Sequence, residues 1–517
     1  MYSRKISRKL NSFESSSPNN SANRLGKNSR RNKVNDNESD SECDSGSDSQ
    51  SCSDSDSYYD SDESLSEDDE REVSQGIVGE IYQNKYIILK YLGKGTFSRV
   101  WMVYDVTTEG FYAMKVVYSK YSEDAEHEID MYKNLGNKYK NITRYIDSFY
   151  IKDEMCIVME LMGICLIDLF KYYTDDDSKD MINNKKWYDT DETTNLIPIS
   201  VVKKIFRNLF TGLHELHSKN IVHTDLKPEN IMINIYPEKL LKIQKWFLES
   251  GILELYKSQL SGIVPDNIAE LDNSKRKIIR KKCRIRALNL ISDKVREIIT
   301  RYHQNIYNEK LKLAEEIIEI DDISDIEIEE VNRDELFTMP DISSITAKII
   351  DLGNAELLDD IEPDVIQLRC YRPPENVLHD FYNTKADIWT MGCILFETLT
   401  GDFLFDIDHE IFNDSLDRDK ELLVQMYNIL GEISRDDIDR SIYKNDLFDS
   451  QSNRLLDVAS ERFNKKSFKE LLSESASELN ENELAEVIDL FNNIFTYDPT
   501  KRYSADEILG HNWLSIN

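Results

Sequence analysis

His223-Thr224-Asp225-Leu226-Lys227-Pro228-Glu229-Asn230 gathers a carboxylate, an ammonium and an amide at Asp225, Lys227 and Asn230. A second carboxylate stands far along the chain in Asp351-Leu352-Gly353. These groups suffice to take a proton from a hydroxyl, neutralise a phosphate and hold a hard cation through oxygen atoms. Each alone would pass for an ordinary polar surface residue. Their order and separation imply that distant segments meet in one cleft.

Upstream, Leu92-Gly93-Lys94-Gly95-Thr96-Phe97-Ser98-Arg99-Val100 precedes Ala113-Met114-Lys115. Alternation of β-branched and aromatic residues predicts strands over Lys85–Leu92, Val100–Val106 and Phe111–Val117, which places the glycines at a tight turn. Glycines there let backbone N–H groups approach phosphate oxygens without a Cβ in the way. A helix is expected over Glu123–Leu135, then strands over Thr143–Tyr150 and Met155–Leu161, giving a five-stranded small lobe. Lys115 needs a carboxylate on that helix. Glu128 is assigned over Glu123 and Glu126, because Ile129 and Leu135 fix the face that meets the sheet.

The pattern turns helical from Leu166, most clearly over Ser200–His217, where Val201, Ile205, Leu209, Leu213 and Leu216 share a face and Ser200 is the expected N-cap. An Ile-rich, charged insert spans 236–346. Leu240–Leu255 and Ser292–Ile320 are its expected helices, with the remainder a solvated loop. It carries a basic cluster, Lys275–Arg286, of nuclear-localisation type, and an acidic stretch, Glu315–Glu330. A strand into Asp351 and further helices close the domain.

The 517 residues carry a net charge of -33, which disfavours direct nucleic-acid binding and favours basic partners. Seven scattered cysteines form no CxxC pair, which excludes a disulfide frame or zinc site. No apolar stretch is long enough to span a membrane, and the opening residues contain no signal-peptide core. A monomer of the cytoplasm or nucleus is expected. Residues 1–78 read as a disordered tail, basic to Lys33 and then a Ser/Asp/Glu tract over 36–70, a candidate phosphoacceptor segment.

Together these motifs resemble the eukaryotic-type serine/threonine protein kinases of the CMGC group, and within them the SR-protein kinases. The finer likeness rests on Ser98 at the third glycine position, threonine in His223-Thr224-Asp225, Asp351-Leu352-Gly353-Asn354-Ala355, and Ile366-Gln367-x-Arg369-x-Tyr371-Arg372. The position of the insert is also similar. CLK-type kinases share the 223–230 string but match less well elsewhere. The resemblance implies an α+β, bilobal kinase fold over 79–517, with an N-lobe over about 79–161, a C-lobe over 162–517 and the 236–346 insert within the latter.

It also implies ATP and Mg2+ as cofactors and Arg/Ser-rich proteins as substrates. Asp225 would be the catalytic base, Lys227 would reach the γ-phosphate, and Lys115, oriented by Glu128, would hold the α- and β-phosphates. Asn230 and Asp351 would bind metal. Leu92 to Val100 would cover the phosphates and, with Ala113, the adenine. Met159, Glu160 and Met162 would form the hinge. Glu375 and Arg502 would make a buried pair, and the helix from Asp387 would anchor the catalytic loop.

The segment 351–375 contains no Ser or Thr, and Tyr371 is its only phosphorylatable hydroxyl. Thr224 stands where an arginine usually receives an activating phosphate, so activity without phosphorylation of this loop is expected. Asp402, Asp406, Asp408, Glu410, Asp414, Asp417, Asp419 and Glu421 are candidate partners for a basic peptide, although Asn428 replaces a second acid of the family's docking groove.

Overall fold

Met155, Ile157 and Met159 pack into one apolar cluster, whereas Cys156 and Val158, alternating with them, pack into another. This period of two, set by the pleat, gives the small-lobe sheet two buried faces. The computed structural model describes residues 77–174, 197–318, 340–361, 364–379, 381–407, 415–452, 454–456, 463–476 and 479–515. The sheet has six strands, not the five expected. They are β1 (Ile81–Tyr82), β2 (Tyr86–Lys94), β3 (Ser98–Asp105), β4 (Gly110–Val117), β5 (Tyr145–Ile151) and β6 (Glu154–Glu160), ordered β1-β2-β3-β4-β6-β5. The extra strand is only two residues long, too short for an alternating pattern to reveal.

Helix α1 (Ser122–Leu135) covers one face of the sheet and joins the core of the large lobe. The large lobe is built on α2 (Leu166–Thr174) and α3 (Ile199–His217). The whole predicted stripe of α3, Val201 through Leu216, is inaccessible to solvent. Ser200 is not the N-cap: the helix starts one residue earlier, after Pro198, with no side-chain cap. Proline, which lacks an N–H, is tolerated at a helix start, so the boundary moves upstream. Short strands β7 (Ile221–Val222) and β8 (Ile231–Ile233) frame the catalytic-loop segment.

The insert differs most from expectation. Leu240–Leu255 is not one helix: α4 (Glu238–Glu249) and α5 (Ile252–Ile263) are separated at Gly251, whose φ of +77° is one that glycine adopts without cost. The basic cluster is not in a loop. It forms the first turns of α6 (Asn273–Ile318), a continuous helix of 46 residues. Nor is this region an appendage of the large lobe. Leu240, Ile243 and Phe247 of α4 and Ala287, Ile291, Val295 and Ile299 of α6 share a core with the outer face of the sheet. Phe247 lies 4.8 Å from Tyr104, ring to ring, and His303 Nε2 donates to the Leu89 carbonyl at 2.8 Å. The small lobe is therefore completed by residues beyond 161, and its buried core begins at Val78. The tail up to residue 76 and most of Glu315–Glu330 lie outside the described residues.

After the insert, β9 (Ala347–Ile349) pairs with β8, and β10 (Glu356–Leu357) pairs with β7. Helices α7 (Pro374–His379), α8 (Lys385–Thr400) and α9 (Ser415–Leu430) follow, and α8 is buried along almost its whole length. Among the described residues, no helix is long and apolar enough to cross a membrane.

Candidate active site

The two short ladders at the base of the cleft bring the distant motifs together. Ile231 of β8 faces Ile349 of β9, and Ile350 N–H donates to the Asn230 carbonyl at 3.0 Å. Asn230 and Asp351 thus emerge at the same end of one ladder. On the opposite wall, Lys115 of β4 lies across from Val100 of β3. Its Nζ is 2.9 Å from Glu128 Oε2 and 2.9 Å from Asp351 Oδ1. Glu123 and Glu126 remain exposed, so the helical face reading selects the right glutamate. Burial opposes the Lys115 charge, but Asp351 and Glu128 outweigh it and hold the ammonium above its usual range.

Asp225 is the hub of the catalytic loop. Its Oδ2 lies 3.3 Å from Lys227 Nζ, 3.3 Å from Asn230 Nδ2 and 3.4 Å from Asn354 Nδ2. Asn230 Nδ2 also donates to the Asp225 carbonyl at 2.8 Å. That bond turns the amide oxygen away from the loop and leaves it for a cation. Below the loop, the buried Asp387 of α8 accepts from the backbone N–H of His223 at 2.9 Å and of Thr224 at 3.2 Å, and lies 2.9 Å from His217 Nε2. A fully buried carboxylate survives only with such a set of donors. His217 and His223 are structural: His223 Nε2 lies 2.9 Å from the Ile350 carbonyl.

The β2–β3 turn closes with Gly95 N–H donating to the Ser98 carbonyl at 2.8 Å. A Cβ at Gly93 would meet no atom within 4 Å, so the turn arches over open space. Lys94, Thr96 and Phe97 at its tip are exposed, while Ser98 is buried. At the hinge, Ala113 faces Met159 and Tyr112 faces Glu160. The Glu160 N–H is already bonded to the Arg144 carbonyl, and the Glu160 side chain pairs with Lys348 at 2.6 Å. The Met162 amide has no acceptor among the described residues. Gly163 follows because a Cβ there would lie 1.9 Å from the Ile235 carbonyl oxygen.

This cleft fits a nucleotide and its metal. An open vault lies under a glycine turn, an ammonium is held between carboxylates, and the oxygens of Asn230 and Asp351 are of the hard type Mg2+ prefers. Among the described residues, no cluster of three His, Cys, Asp or Glu side chains could cage a metal alone. A cation that takes its remaining ligands from phosphates and water needs none.

Some contacts of the site are assigned by no motif. His127, next to Glu128, reaches across to within 2.7 Å of the Ala355 carbonyl and ties α1 to the segment after Asp351. Gln367 donates its N–H to the Thr224 carbonyl at 3.0 Å and accepts from Leu226 N–H at 2.8 Å. Both Thr224 and Gln367 have φ above +60°, as does Asp351. Such left-handed backbone is costly for a β-branched threonine and persists only where neighbours fix it. Thr224 Oγ1 donates to the Asn354 carbonyl at 2.6 Å. Of the acidic run, Asp408, Glu410 and Asp414 lie outside the described residues. Asp402, Asp406 and Asp417 are exposed, but Glu421 is buried and Asp419 pairs with Arg369 and Arg372.

The protein kinase domain model matches residues 86–247 and 336–514, leaving out most of the insert. A serine/threonine-protein kinase of Acanthamoeba polyphaga mimivirus is 26% identical, with 88% of this chain and 92% of the relative aligned. The SRPK serine/threonine-protein kinase of Physarum polycephalum is 27% identical over 72% of this chain and 73% of its own length. The clkA serine/threonine-protein kinase of Dictyostelium discoideum is 24% identical over 86% of this chain but only 37% of its own. With the lysine, its glutamate and both loop carboxylates in one cleft, the chain belongs to the protein kinase family, as a serine/threonine kinase of SRPK- and CLK-like type.

Proposed function

We propose that this kinase transfers the γ-phosphate of ATP to serine in basic, Arg/Ser-rich proteins and needs no phosphate on its own activation segment. When bound, ATP would supply the phosphoryl group and magnesium a charge that neutralises the phosphates. Lys115, oriented by Glu128, holds the α- and β-phosphates. Asn230 Oδ1 and Asp351 would hold the metal. Asp225 accepts the proton of the serine hydroxyl, and Lys227 beside it neutralises charge on the phosphate being transferred. The glycine turn from Leu92 to Val100 excludes water above, and the Met162 amide reads the adenine edge.

The observation that carries independence from phosphorylation is the seating of the segment itself. Tyr371 is 1% exposed and donates to Glu397 at 2.6 Å. A kinase could not reach it without unfolding the region. Gln367 and Thr224 make the bonds between segment and catalytic loop that a phosphate would otherwise organise. Complete dephosphorylation should leave turnover unchanged. Loss of activity with the removed phosphate mapped to Tyr371 would refute this.

Substrate preference is supported by the exposed Asp402, Asp406 and Asp417 and by the likeness to the SRPK kinase. Transfer to an Arg-Ser repeat peptide should exceed transfer to acidic and proline-directed peptides. A preference for the proline-directed peptide would favour the alternative of an active CMGC kinase with a different substrate. Asp225→Asn should lower turnover by about 10²–10⁴-fold, the usual value of acid–base catalysis.

A further inference from the structure

The opening turns of α6 present cations that no described residue supplies with counter-charge. Arg276 is spent on the carbonyls of Ala269 and Leu271, Arg284 on Thr107 Oγ1, and Lys275 on Asp272. Lys277, Arg280, Lys281, Lys282 and Arg286 are exposed and have no ion-pair partner among the described residues. Ile278, 56% exposed, lies among them. Lys277 and Lys281, and Lys282 and Arg286, stand four residues apart, so like charges face each other along the helix. In a chain of net charge -33, such a patch is an anomaly that asks for an anion.

The same chain carries one nearby. Residues 54–70 hold nine carboxylates and no Lys or Arg. They lead into the point where the chain meets α6: Gly79 approaches so closely that a Cβ would lie 2.7 Å from Arg296 Cα. Arg286 and Lys277 are about 15 and 28 Å from Arg296 along the helix, at 1.5 Å per residue. The seven-residue step from Glu70 to Ile77 can span up to about 25 Å, and the step from Asp54 roughly three times that. The tract can therefore reach the whole patch from its own tether, at high effective concentration.

We infer that residues 54–70 dock in cis on the basic face of α6 formed by Lys277, Arg280, Lys281, Lys282 and Arg286. Attraction between opposite charges holds the tract there, and Ile278 offers an apolar contact for its Tyr58, Tyr59 or Leu65. Phosphorylation at Ser55, Ser57, Ser61, Ser64 or Ser66 adds negative charge and tightens the docking. The inference is independent of the substrate reading, because the patch lies outside the cleft.

Zero-length carbodiimide coupling of the full chain tests it, with cross-linked peptides mapped by mass spectrometry. Carboxylates of 54–70 should couple to Lys277, Lys281 and Lys282 within monomers. The yield should be independent of protein concentration and lost at 1 M salt, where charges are screened beyond about 3 Å. The variant Arg280→Glu/Arg286→Glu keeps every reactive lysine but reverses two charges, and its melting temperature checks that the helix persists. Its coupling at those lysines should fall about tenfold, as removal of two exposed ion pairs implies. Coupling spread over all exposed lysines, coupling only between two chains, or yields unchanged in that variant would each overturn the inference. Absence of coupling altogether would also overturn it and leave the patch to a partner in trans.

Discussion

Two buried ion pairs, one in each half of the molecule, are built for opposite ends. Arg502 meets Glu375 through both guanidinium nitrogens, at 2.8 and 2.9 Å, and also donates to the carbonyls of Lys385 and Thr496. Its guanidinium lies over the Trp389 ring at 5.1 Å. Lys115 instead divides one ammonium between Glu128 and Asp351, and Glu128 Oε1, like Arg502 Nε, is buried with no partner among the described residues. A planar fork satisfied on nearly every side fixes a fold, whereas a point charge shared by two walls of a cleft can exchange partners. The arginine pair is architecture. The lysine pair is one whose contacts can be exchanged.

The comparison breaks most sharply if stability and turnover fail to separate. Arg502→Ala leaves Glu375 buried and uncompensated, so unfolding free energy should drop by about 3–5 kcal/mol in urea titration. A drop within experimental error of zero would remove the distinction. Lys115→Met should lower turnover by about 10²–10³-fold, the usual cost of one electrostatic contact in the transition state. Its melting temperature should move far less than that of Arg502→Ala, because burial already favours a proton on Glu128 and the variant can neutralise it. Equal losses of stability in both variants would show the lysine pair to be structural.

Glu397 sharpens the contrast, as a buried carboxylate whose partner among the described residues is the Tyr371 hydroxyl and not a cation. Burial pushes it up to about 7 from an ordinary 4.5, although the Tyr371 bond pulls it down. The folded state therefore holds more protons than the unfolded chain between those values, and this group's contribution to stability falls as pH rises through that window. Glu397→Gln should gain stability over the parent between pH 5 and 7.5, by on the order of 3 kcal/mol, and no further above that. A difference independent of pH would contradict the raised carboxyl.

The smallest effect is expected at Gln367. Gln367→Ala should cost about 1–3 kcal/mol locally by leaving the buried Leu226 amide without its acceptor. It should appear as faster hydrogen exchange at Leu226 and reduced turnover, with global unfolding little changed. Unaltered exchange there would mean that another group holds the segment.

Residues with fixed chemical duties were legible because duty restricts residue type. Lys115, Asp225, Asn230 and Asp351 could be found from order and spacing, and Glu128 from the face of its helix. The bonds of His127 and Gln367 were not, since His127 stands in no motif and the likeness that includes Gln367 does not say which groups its side chain meets. Asp419 reads in sequence as a candidate partner for a basic peptide, whereas in the fold it pairs with Arg369 and Arg372. The insert misled for another reason. Its helices bury their apolar stripes against a sheet formed 150 residues earlier, and local pattern does not name the surface that receives a stripe.

By itself, then, the sequence determined the small lobe's alternating strands, the stripe of α3, the kinase motifs and the missing phosphoacceptor, all written in local period or invariant chemistry. Only the tertiary structure decided that the insert completes the small lobe, that His127 ties α1 to the segment after Asp351, and that five cations of α6 are left facing outward. Those outcomes depend on which surfaces meet after the chain has collapsed, and burial and charge pairing between distant segments decide that.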